Sequence, residues 1–424
     1  MNRLFTIALL AGALAFNAGA RDARAEIEAM PERAAGVYFA YPSDRIDPKA
    51  EIPKGYEPFY ASHYGRHGSR YLINDNDYER VIEVLDKAHD ANALTPRGEL
   101  LRLQLDTIWE EARGRGGELS PLGARQHRDI GHRMAEHYPA IFADGAEVTA
   151  TSTTVMRCAH SMFNFIRGLH DIKPGLEVPM ESGRRTMQHM SYQSPESSAL
   201  NNPKGPYYQD YKRFKAAMSK PDRLVGTLFG DSRYVDVWVD KDAFVNDLYW
   251  LASDLQNMET DISLLDLFTT DELYDMWQYA NFSFFARAST YPRAEGKHVQ
   301  NARNLLRNIV DGADAYIADG RHGATLRFGH DSNIIPLLGL LRVEGCYADT
   351  EVPSELSSSY ADYFVSPMAA NLQFIFFRPV KNRKGDILVR VLHNERAAGL
   401  PLADAGEKGL YRWPELREYL TSLL

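Results

Sequence analysis

Apolar residues in this chain follow two patterns, one typical of strands and one typical of helices. Short runs rich in β-branched and aromatic residues predict strands. They cover residues 59–63, 147–151, 325–328, 372–377 and 387–392. The last two runs flank the polar stretch 381–385 and indicate an antiparallel hairpin. Each of the first three leads into a polar turn and then into a helical pattern, which is the order of elements in an α/β sheet.

Helical spacing of apolar residues begins soon after the first turn. It runs over residues 78–85 and follows a polar pair at 74–75 that is suited to capping a helix. Ser120 followed by Pro121 predicts a second, well-capped helix start, because proline is favoured at the first helical position. That helix should end before Pro139.

A further helix, which contains Arg157, follows the second strand, and we expect it to end at Gly168. Helical patterns then dominate as far as residue 320. They cover residues 207–218, 243–255, 271–285 and 299–317. The sequence therefore predicts a three-layer α/β/α core with a mixed, mostly parallel sheet. This core would comprise residues 26–170 and 321–424, with a mainly helical domain inserted at 171–320.

Composition narrows the range of functions. A chain of 424 residues has room for one large or two modest domains. Its net charge of −9 argues against a nucleic-acid-binding protein, which would normally present a basic face. An anionic substrate must therefore be attracted by local cations and not by the field of the whole protein.

The first 25 residues predict a cleavable secretory signal. Arg3 precedes an apolar run at 4–16 that is too short to span a bilayer, and small residues follow it up to Ala20 and Ala25. Either alanine is a suitable cleavage site. We therefore expect a periplasmic or secreted protein without a membrane span. Export permits a disulfide, and whether the two cysteines, Cys158 and Cys346, pair or remain buried thiols is open.

The residues Arg66, His67, Gly68, Ser69 and Arg70 directly follow the first predicted strand. Guanidinium groups present planar forks of donors that match phosphate oxygens. A histidine held among cations is driven toward its neutral, nucleophilic form. This segment therefore predicts a site at which a histidine captures a phosphoryl group.

The same tripeptide occurs again as Arg321, His322 and Gly323, and this second copy serves as an internal control. Thr325 stands where the second arginine would be, and this copy precedes a strand instead of following one. Since ligands of open α/β sheets bind beyond the carboxyl ends of strands, the first copy is the candidate site.

Two other strand ends carry suitable chemistry. Arg157 follows the second strand, and His330 and Asp331 lie between the third strand and an opening helix. Read alone, Arg157 could equally be a solvated helix residue. Asp331 could act in catalysis, and it could also cap its helix.

These three segments together resemble branch 2 of the histidine phosphatase superfamily, which includes histidine acid phosphatases and phytases. The motifs are Arg66-His67-Gly68-x-Arg70, Thr151-Ser152-x-x-x-Met156-Arg157 and Gly329-His330-Asp331-Ser332-Asn333. The chain also resembles multiple inositol polyphosphate phosphatases, through residues 65–70 and through Asn394-Glu395. That group often carries His-Ala-Glu where this chain has His330-Asp331-Ser332.

The resemblance implies a role for each residue. His67 would attack phosphorus and form a phosphohistidine, and Asp331 would protonate the leaving alkoxide and then assist water. Four side chains would hold the phosphoryl oxygens: Arg66, Arg70, Arg157 and His330. No metal or other cofactor would be needed. The expected partner is a small phosphate ester, most of all an inositol polyphosphate such as phytate.

Other functions remain open at this point. A broad acid phosphatase would act on small phosphomonoesters, a mutase-like transferase could share the first motif, and a binding protein could keep the arginines without turnover. Basic residues of the predicted insertion could line a pocket for a polyanion or could simply be solvated. They are Arg184, Arg185, Lys212, Arg213 and Lys215. The sequence does not indicate an oligomeric state.

Overall fold

The computed structural model describes residues 21–42, 52–381 and 385–424. Residues 1–20 of the predicted secretory signal lie outside these ranges, as do three residues of the predicted 381–385 turn. The predicted fold class is confirmed, because one mixed sheet lies between two layers of helices.

The sheet contains eight strands within the described residues. They are β1 (Tyr56–Arg66), β2 (Glu147–Ser152), β3 (Met180–Glu181), β4 (Gly323–Gly329), β5 (Asn371–Pro379), β6 (Leu388–His393), β7 (Arg396–Ala397) and β8 (Leu410–Arg412). Their order is β3-β2-β4-β1-β5-β6-β7, with β8 also paired to β6. The strands from β3 to β1 are parallel, and those from β1 onward are antiparallel. All five predicted strands are present.

The helices follow the predicted order, with several short additions. They are α1 (Ala23–Ala29), α2 (Asn76–Asp90), α3 (Pro96–Ala112), α4 (Pro121–His137), α5 (Met156–Ile172), α6 (Met187–Met190), α7 (Pro195–Leu200), α8 (Pro206–Met218), α9 (Asp222–Leu228), α10 (Ser232–Trp238), α11 (Lys241–Asp254), α12 (Thr270–Ala288), α13 (Arg303–Asp319), α14 (Asp331–Leu340), α15 (Asp362–Val365) and α16 (Trp413–Ser422). Short 3-10 helices occur at Pro31–Tyr38, Arg184–Thr186, Leu255–Asn257, Leu265–Leu267, Pro292–Ala294, Val299–Ala302 and Pro353–Ser358.

The side chains of β1 alternate between two apolar clusters, as strand geometry requires. Tyr60 and Tyr64 pack in a cluster with Leu305 of α13. Ala61 belongs to a second cluster with Phe165 of α5 on the opposite face. The sheet is therefore buried on both faces, which fixes its register and the position of its carboxyl edge.

The predicted end of a helix at Gly168 is wrong, because α5 continues to Ile172. Gly168 instead allows α4 and α5 to pack closely. An ideal Cβ at this position would lie 1.9 Å from the carbonyl oxygen of Arg128 on α4. The glycine thus marks a helix contact and not a helix stop.

Helix α3 was not predicted, although its start resembles that of α4. The Thr95 side chain accepts a hydrogen bond from the Gly98 amide at 3.1 Å, just as Ser120 caps α4. However, Leu100 and Leu103 leave 46% and 55% of their surfaces exposed. Apolar residues on the solvent face obscure the period on which the prediction depends.

Helices of the predicted insertion pack against the start of the chain. α11 contacts α2, α9 contacts α3, and α12 contacts the 3-10 helix Pro31–Tyr38. One apolar cluster includes side chains from all of these elements. The division into a core and an insertion stays a prediction. Among the helices within the described ranges, none is both long enough and apolar enough to cross a membrane.

Candidate active site

The carboxyl ends of β1, β2 and β4 meet at one edge of the sheet. Parallel pairing sets Arg66 opposite Gly329 and Ser152 opposite Phe328. The residues that follow these strands therefore lie side by side. Helices α5 and α14 also begin at this edge, and helix N-termini favour anions. All six residues proposed from the sequence belong to these segments.

His67 is buried directly beyond β1. Its Nδ1 lies 2.9 Å from the carbonyl oxygen of Gly68. Because a carbonyl can only accept, Nδ1 carries the proton and Nε2 keeps a free lone pair. Burial lowers the pKa of His67 well below its ordinary value, and Arg66, Arg157 and Arg70 lower it further. A neutral imidazole with a free Nε2 is the form that a nucleophile requires.

The loop that carries His67 is held from several sides. The His67 amide donates to Gly329 O at 2.9 Å, and the Gly68 amide donates to Ser161 Oγ at 3.1 Å. A Cβ on Gly68 would lie 2.5 Å from Gly123 O, in the first turn of α4. Glycine is therefore required here for close packing, and the packing fixes the position of the histidine.

Arg66 is fully buried and held on both terminal nitrogens. Its Nη1 donates to the carbonyl oxygens of Val37 and Ser366, each at 2.6 Å. Its Nη2 lies 3.1 Å from Oδ2 of Asp331. Burial lowers the pKa of Arg66 to about 10. At neutral pH the guanidinium is still charged, so it adds a fixed cation beside His67.

Two further guanidinium groups face the same site. Arg70 donates from Nη1 to Tyr71 O at 2.8 Å, and its Cζ lies 4.6 Å from the centre of the Tyr38 ring. Arg157 lies in the first turn of α5 and donates from Nη1 to Gly117 O at 3.4 Å. Burial and Arg70 lower the pKa of Arg157. Three guanidinium groups thus converge on the site, an arrangement that suits a dianion.

His330 and Asp331 complete the site at the start of α14. The His330 ring lies 5.7 Å from the His67 ring, and its Nε2 is 3.1 Å from Thr153 Oγ1. Burial lowers the pKa of His330 to about 4. Burial raises the pKa of Asp331, but Arg66, His330 and Arg70 together bring it below its ordinary value. Asp331 is therefore ionised at neutral pH and paired with Arg66.

Several supporting residues were missed by the sequence analysis. Asp254 is buried behind Arg70, accepts a hydrogen bond from Tyr78 at 3.1 Å, and has its pKa raised by burial to about 7. Asn257 donates to Tyr38 O at 2.8 Å and accepts from Ser69 Oγ at 2.6 Å. These residues come from α11 and the turn after it. No short motif links them to the catalytic loop, so the sequence carried no signal for them.

The cysteines do not pair, since both thiols are free and buried. Cys158 donates to Gly329 O at 3.2 Å, beside His330, whereas Cys346 lies 3.6 Å from His393. The alternative left open by the sequence is thus decided in favour of two thiols.

Glu395 is held elsewhere by two hydrogen bonds from Arg133, at 2.9 and 2.7 Å, and by one from Tyr41 at 2.9 Å. Asn394 and Glu395 both have positive φ and form the two-residue turn between β6 and β7. A carboxylate held in this way by a guanidinium is poorly suited to donate a proton.

Most of the basic candidates of the insertion are engaged with neighbours. Arg185 pairs with Glu181 at 3.0 Å, and Lys215 donates to Asn246 at 2.7 Å. Arg213 pairs with Asp210, and Lys212 lies 5.9 Å from the Tyr208 ring centre. Arg184 is exposed in the turn after β3. Of the five, Arg184 is the one near the carboxyl edge for which no ion pair is found within the described residues.

A cavity of about 1450 Å³ opens elsewhere, between the start of the chain and the segment 393–408. Its lining includes Arg33, Tyr41 and Arg342, and none of the six proposed residues. The site is marked by the convergence of cations around His67, and this cavity lies apart from it. Within residues 21–42, 52–381 and 385–424, no group of three or more His, Cys, Asp or Glu is arranged to hold a metal ion.

Comparisons with known proteins agree with this geometry. A family model for the histidine phosphatase superfamily (branch 2) matches residues 65–394. No curated protein sequence matches the chain. Among solved structures, the multiple inositol polyphosphate phosphatase of Bifidobacterium longum, in complex with inositol hexasulfate, is similar with a TM-score of 0.72 and 18% identity, covering 92% of this chain and 97% of that one.

Two phytases are also similar in structure. The phytase of D. castellii has a TM-score of 0.65 and 15% identity, over 98% of this chain and 90% of that one. The apo phytase of Hafnia alvei has a TM-score of 0.55 and 12% identity, over 88% and 98%. At these identities the structural likeness establishes the fold, while the family model rests on the sequence itself.

Proposed function

The chain belongs to branch 2 of the histidine phosphatase superfamily, and on that basis we propose that it hydrolyses inositol polyphosphates through a phosphohistidine on His67. It is a phosphatase. The observation that carries the proposal is the buried, neutral His67 with its Nε2 lone pair free among three guanidinium groups.

In the first step, Nε2 of His67 attacks phosphorus in line with the leaving oxygen. The N–P bond forms as the P–O bond to the alcohol breaks, and a proton from Asp331 goes to the departing alkoxide. Arg66, Arg70 and Arg157 would neutralise the charge on the transferring phosphoryl group. Because these cations are held before substrate arrives, they need little reorganisation during the reaction.

Protonation of Asp331 would depend on the substrate. Arg66 and its neighbours hold the pKa of Asp331 below its ordinary value. A bound phosphate dianion beside the carboxylate opposes ionisation and raises this pKa. In the second step, water would attack phosphorus, so that the new O–P bond forms as the N–P bond to His67 breaks, and one proton of the water would go to Asp331. Inorganic phosphate is then released and Nε2 of His67 regains its lone pair.

An inositol polyphosphate is favoured as substrate because the structural neighbours are named as phytases and inositol polyphosphate phosphatases. Arg184 would meet a second phosphate of such a substrate. Ser182, two residues before it, donates to Thr153 O at 2.8 Å, and Thr153 contacts His330 at 3.1 Å. A small-monoester phosphatase is the alternative, because most other basic residues of the insertion are paired.

A panel of phosphate esters tests the substrate. We expect kcat/KM for inositol hexakisphosphate to exceed that for a sugar monophosphate by at least about tenfold. Arg184→Ala should reduce this preference, whereas Arg185→Ala should retain it, since Arg185 is paired with Glu181. Equal kcat/KM values for both esters would favour the small-monoester alternative. Transfer of the phosphoryl group to a second alcohol without release of phosphate would favour a mutase.

We also propose export with cleavage after Ala20. The apolar run at 4–16 supports export. Cleavage at Ala20 would keep α1 intact, in which Ala23 and Ile27 are buried and Asp22 caps the helix. Cleavage at Ala25 would remove that cap. Sequencing the mature N-terminus from the bacterial periplasm tests this, and an uncut cytoplasmic chain would contradict it.

A further inference from the structure

A turn at Gly36–Tyr38 contacts two of the three arginines of the site, although it precedes the range matched by the family model. The Val37 carbonyl accepts a hydrogen bond from Arg66 at 2.6 Å. The ring of the next residue, Tyr38, lies 4.6 Å from Cζ of Arg70. Two adjacent residues of one turn thus contact two different guanidinium groups.

The turn is held from behind by a buried carboxylate. Gly36 has a φ of +57°, and an ideal Cβ there would lie 2.5 Å from Oδ2 of Asp362. Glycine is therefore required twice, for its backbone angle and for the close approach. Asp362 is fully buried and accepts a hydrogen bond from Trp277 Nε1 at 2.9 Å. Its position is thus fixed by α12.

Asp362 also supports the second carbonyl that binds Arg66. The Ser366 amide donates to Asp362 O at 2.8 Å, and Ser366 O accepts from Arg66 at 2.6 Å. The Asp362 amide donates to Asn281 Oδ1, again on α12, at 2.9 Å. Both carbonyl groups that accept hydrogen bonds from Arg66 therefore belong to segments that contact the same buried residue, Asp362. Burial raises the pKa of Asp362 to about 7, while hydrogen bonds from Trp277 and from the Val37 backbone favour the charged form.

Tyr38 is itself fixed on three sides. Its carbonyl accepts from Asn257 at 2.8 Å, its ring lies 5.2 Å from the Trp250 ring, and its other face covers Arg70. Burial opposes the charge on Arg70, yet the Tyr38 hydroxyl, which hydrogen-bonds to Arg70, and Asp254 together raise the pKa of Arg70 above its ordinary value. A ring stacked on a guanidinium restricts the plane in which its donors lie.

We propose that Tyr38 is a positioning residue of the phosphate site, which sets the plane of the Arg70 guanidinium from a turn anchored on Asp362. The inference rests on the proposed function and adds a residue to its phosphate site. Tyr38 acts through Arg70, so its loss should weaken both phosphate binding and turnover. A merely structural residue would change stability and leave both of these unchanged in the folded protein.

Three variants test the role of the ring. Tyr38→Leu removes it, Tyr38→Phe retains it, and Phe39→Leu is the matched control on a neighbouring buried ring that contacts Tyr363. For Tyr38→Leu we expect kcat to fall and the Kd of inorganic phosphate, measured by calorimetry, to rise, each by about tenfold. Tyr38→Phe, which keeps the ring and loses the hydroxyl contact with Arg70, should show a smaller loss than Tyr38→Leu in both quantities. Phe39→Leu should change both by less than about threefold. Wild-type phosphate affinity in Tyr38→Leu would overturn the inference, as would an equal loss in Phe39→Leu.

A pair of glycine variants tests the anchor. Gly36→Ala forces a Cβ against Asp362, and Gly55→Ala places a Cβ at another positive φ, +83°, with no atom within 4 Å. We expect Gly36→Ala to lower kcat by about tenfold or more at temperatures well below its melting point, and Gly55→Ala to retain kcat. Equal kcat values in the two folded variants would show that the turn does not position the site.

The phosphate calorimetry separates this inference from the proposed function. If the wild type binds phosphate but releases none from any ester, the proposed function fails, and the Kd values still decide the role of Tyr38. If the wild type turns over esters and Tyr38→Leu matches it in both kcat and Kd, only the positioning role fails.

Discussion

The two copies of Arg-His-Gly occur on neighbouring parallel strands but at opposite ends of the sheet. β1 and β4 are paired so that Tyr60 faces Gly323 and Arg66 faces Gly329. The first copy therefore lies at the carboxyl edge, and the second copy, at 321–323, lies at the amino edge. The same three-residue sequence therefore lies in two different environments.

The environments differ in what neutralises the arginine. Arg321 is partly exposed and pairs with Glu147 at 2.6 Å and Asp319 at 2.8 Å. Arg66 is fully buried, donates to two carbonyl oxygens and pairs with one carboxylate, that of Asp331. The same site holds two more guanidinium groups, those of Arg70 and Arg157. The comparison teaches that the tripeptide gives no function by itself. A strand end, helix starts and three guanidinium groups that share the carboxylate of Asp331 make the first copy the candidate phosphate site.

The largest expected contrast is between the two histidines. His67→Ala should lower phosphate release by at least about ten-thousandfold, because it removes the proposed nucleophile. His322→Ala should stay within about threefold of wild type, since the one described hydrogen bond of the His322 side chain is to Ala143 O, at 3.4 Å. Steady-state assays with both variants check this, and substantial activity in His67→Ala would remove the first copy from the mechanism.

Whether a residue of the site could be predicted from the sequence depends on how close it lies, along the chain, to the end of a strand. Residues that directly follow strands, such as His67 and His330, could be placed because the strand pattern locates the carboxyl edge. Asp362 could not, because it lies in a four-residue helix and reaches the site through Val37 and Ser366. Its role depends on packing between elements, which leaves no local period or motif.

The two arginines should differ by a smaller factor. Arg66→Ala removes a preorganised cation and should lower kcat by about a hundredfold or more. Arg321→Ala breaks exposed ion pairs and should retain kcat, with only a small loss of stability. The measurement is kcat and KM for one phosphate ester. A rise in KM alone for Arg66→Ala would mean that the cation serves binding and not the transition state.

Asp331 is a further difference between the two copies, because the proposed mechanism assigns a proton donor to the first copy and none to the second. Asp331→Asn keeps the size of the side chain but cannot donate an acidic proton. Single-turnover phosphorylation should slow by about a hundredfold with alkyl phosphates and far less with aryl phosphates, whose leaving groups need no proton. Equal losses with both ester types would mean that Asp331 only supports the start of α14.

The smallest expected effect concerns acid stability. His127 donates from Nε2 to Arg66 O at 3.0 Å, and burial lowers its pKa from 6.5 to about 4. A histidine whose pKa is lower in the folded than in the unfolded protein stabilises the fold at pH values above its unfolded pKa, here 6.5. This contribution is lost as the pH falls from 6.5 toward 4. It should amount to about 2 kcal/mol between pH 7 and pH 5. Urea unfolding of His127→Gln, which keeps a donor but does not titrate, should lack this loss, and an unchanged pH dependence would contradict the assignment.

The most direct test of the account is to trap the phosphoryl group on the enzyme. Wild-type protein would be quenched in alkali during turnover, because the N–P bond of phosphohistidine is labile to acid, and the peptides would be analysed by mass spectrometry. We predict one phosphate on His67, formed at least as fast as kcat, and none on His322. Full turnover with no phosphoenzyme, or with the phosphate on another residue, would contradict the central claim.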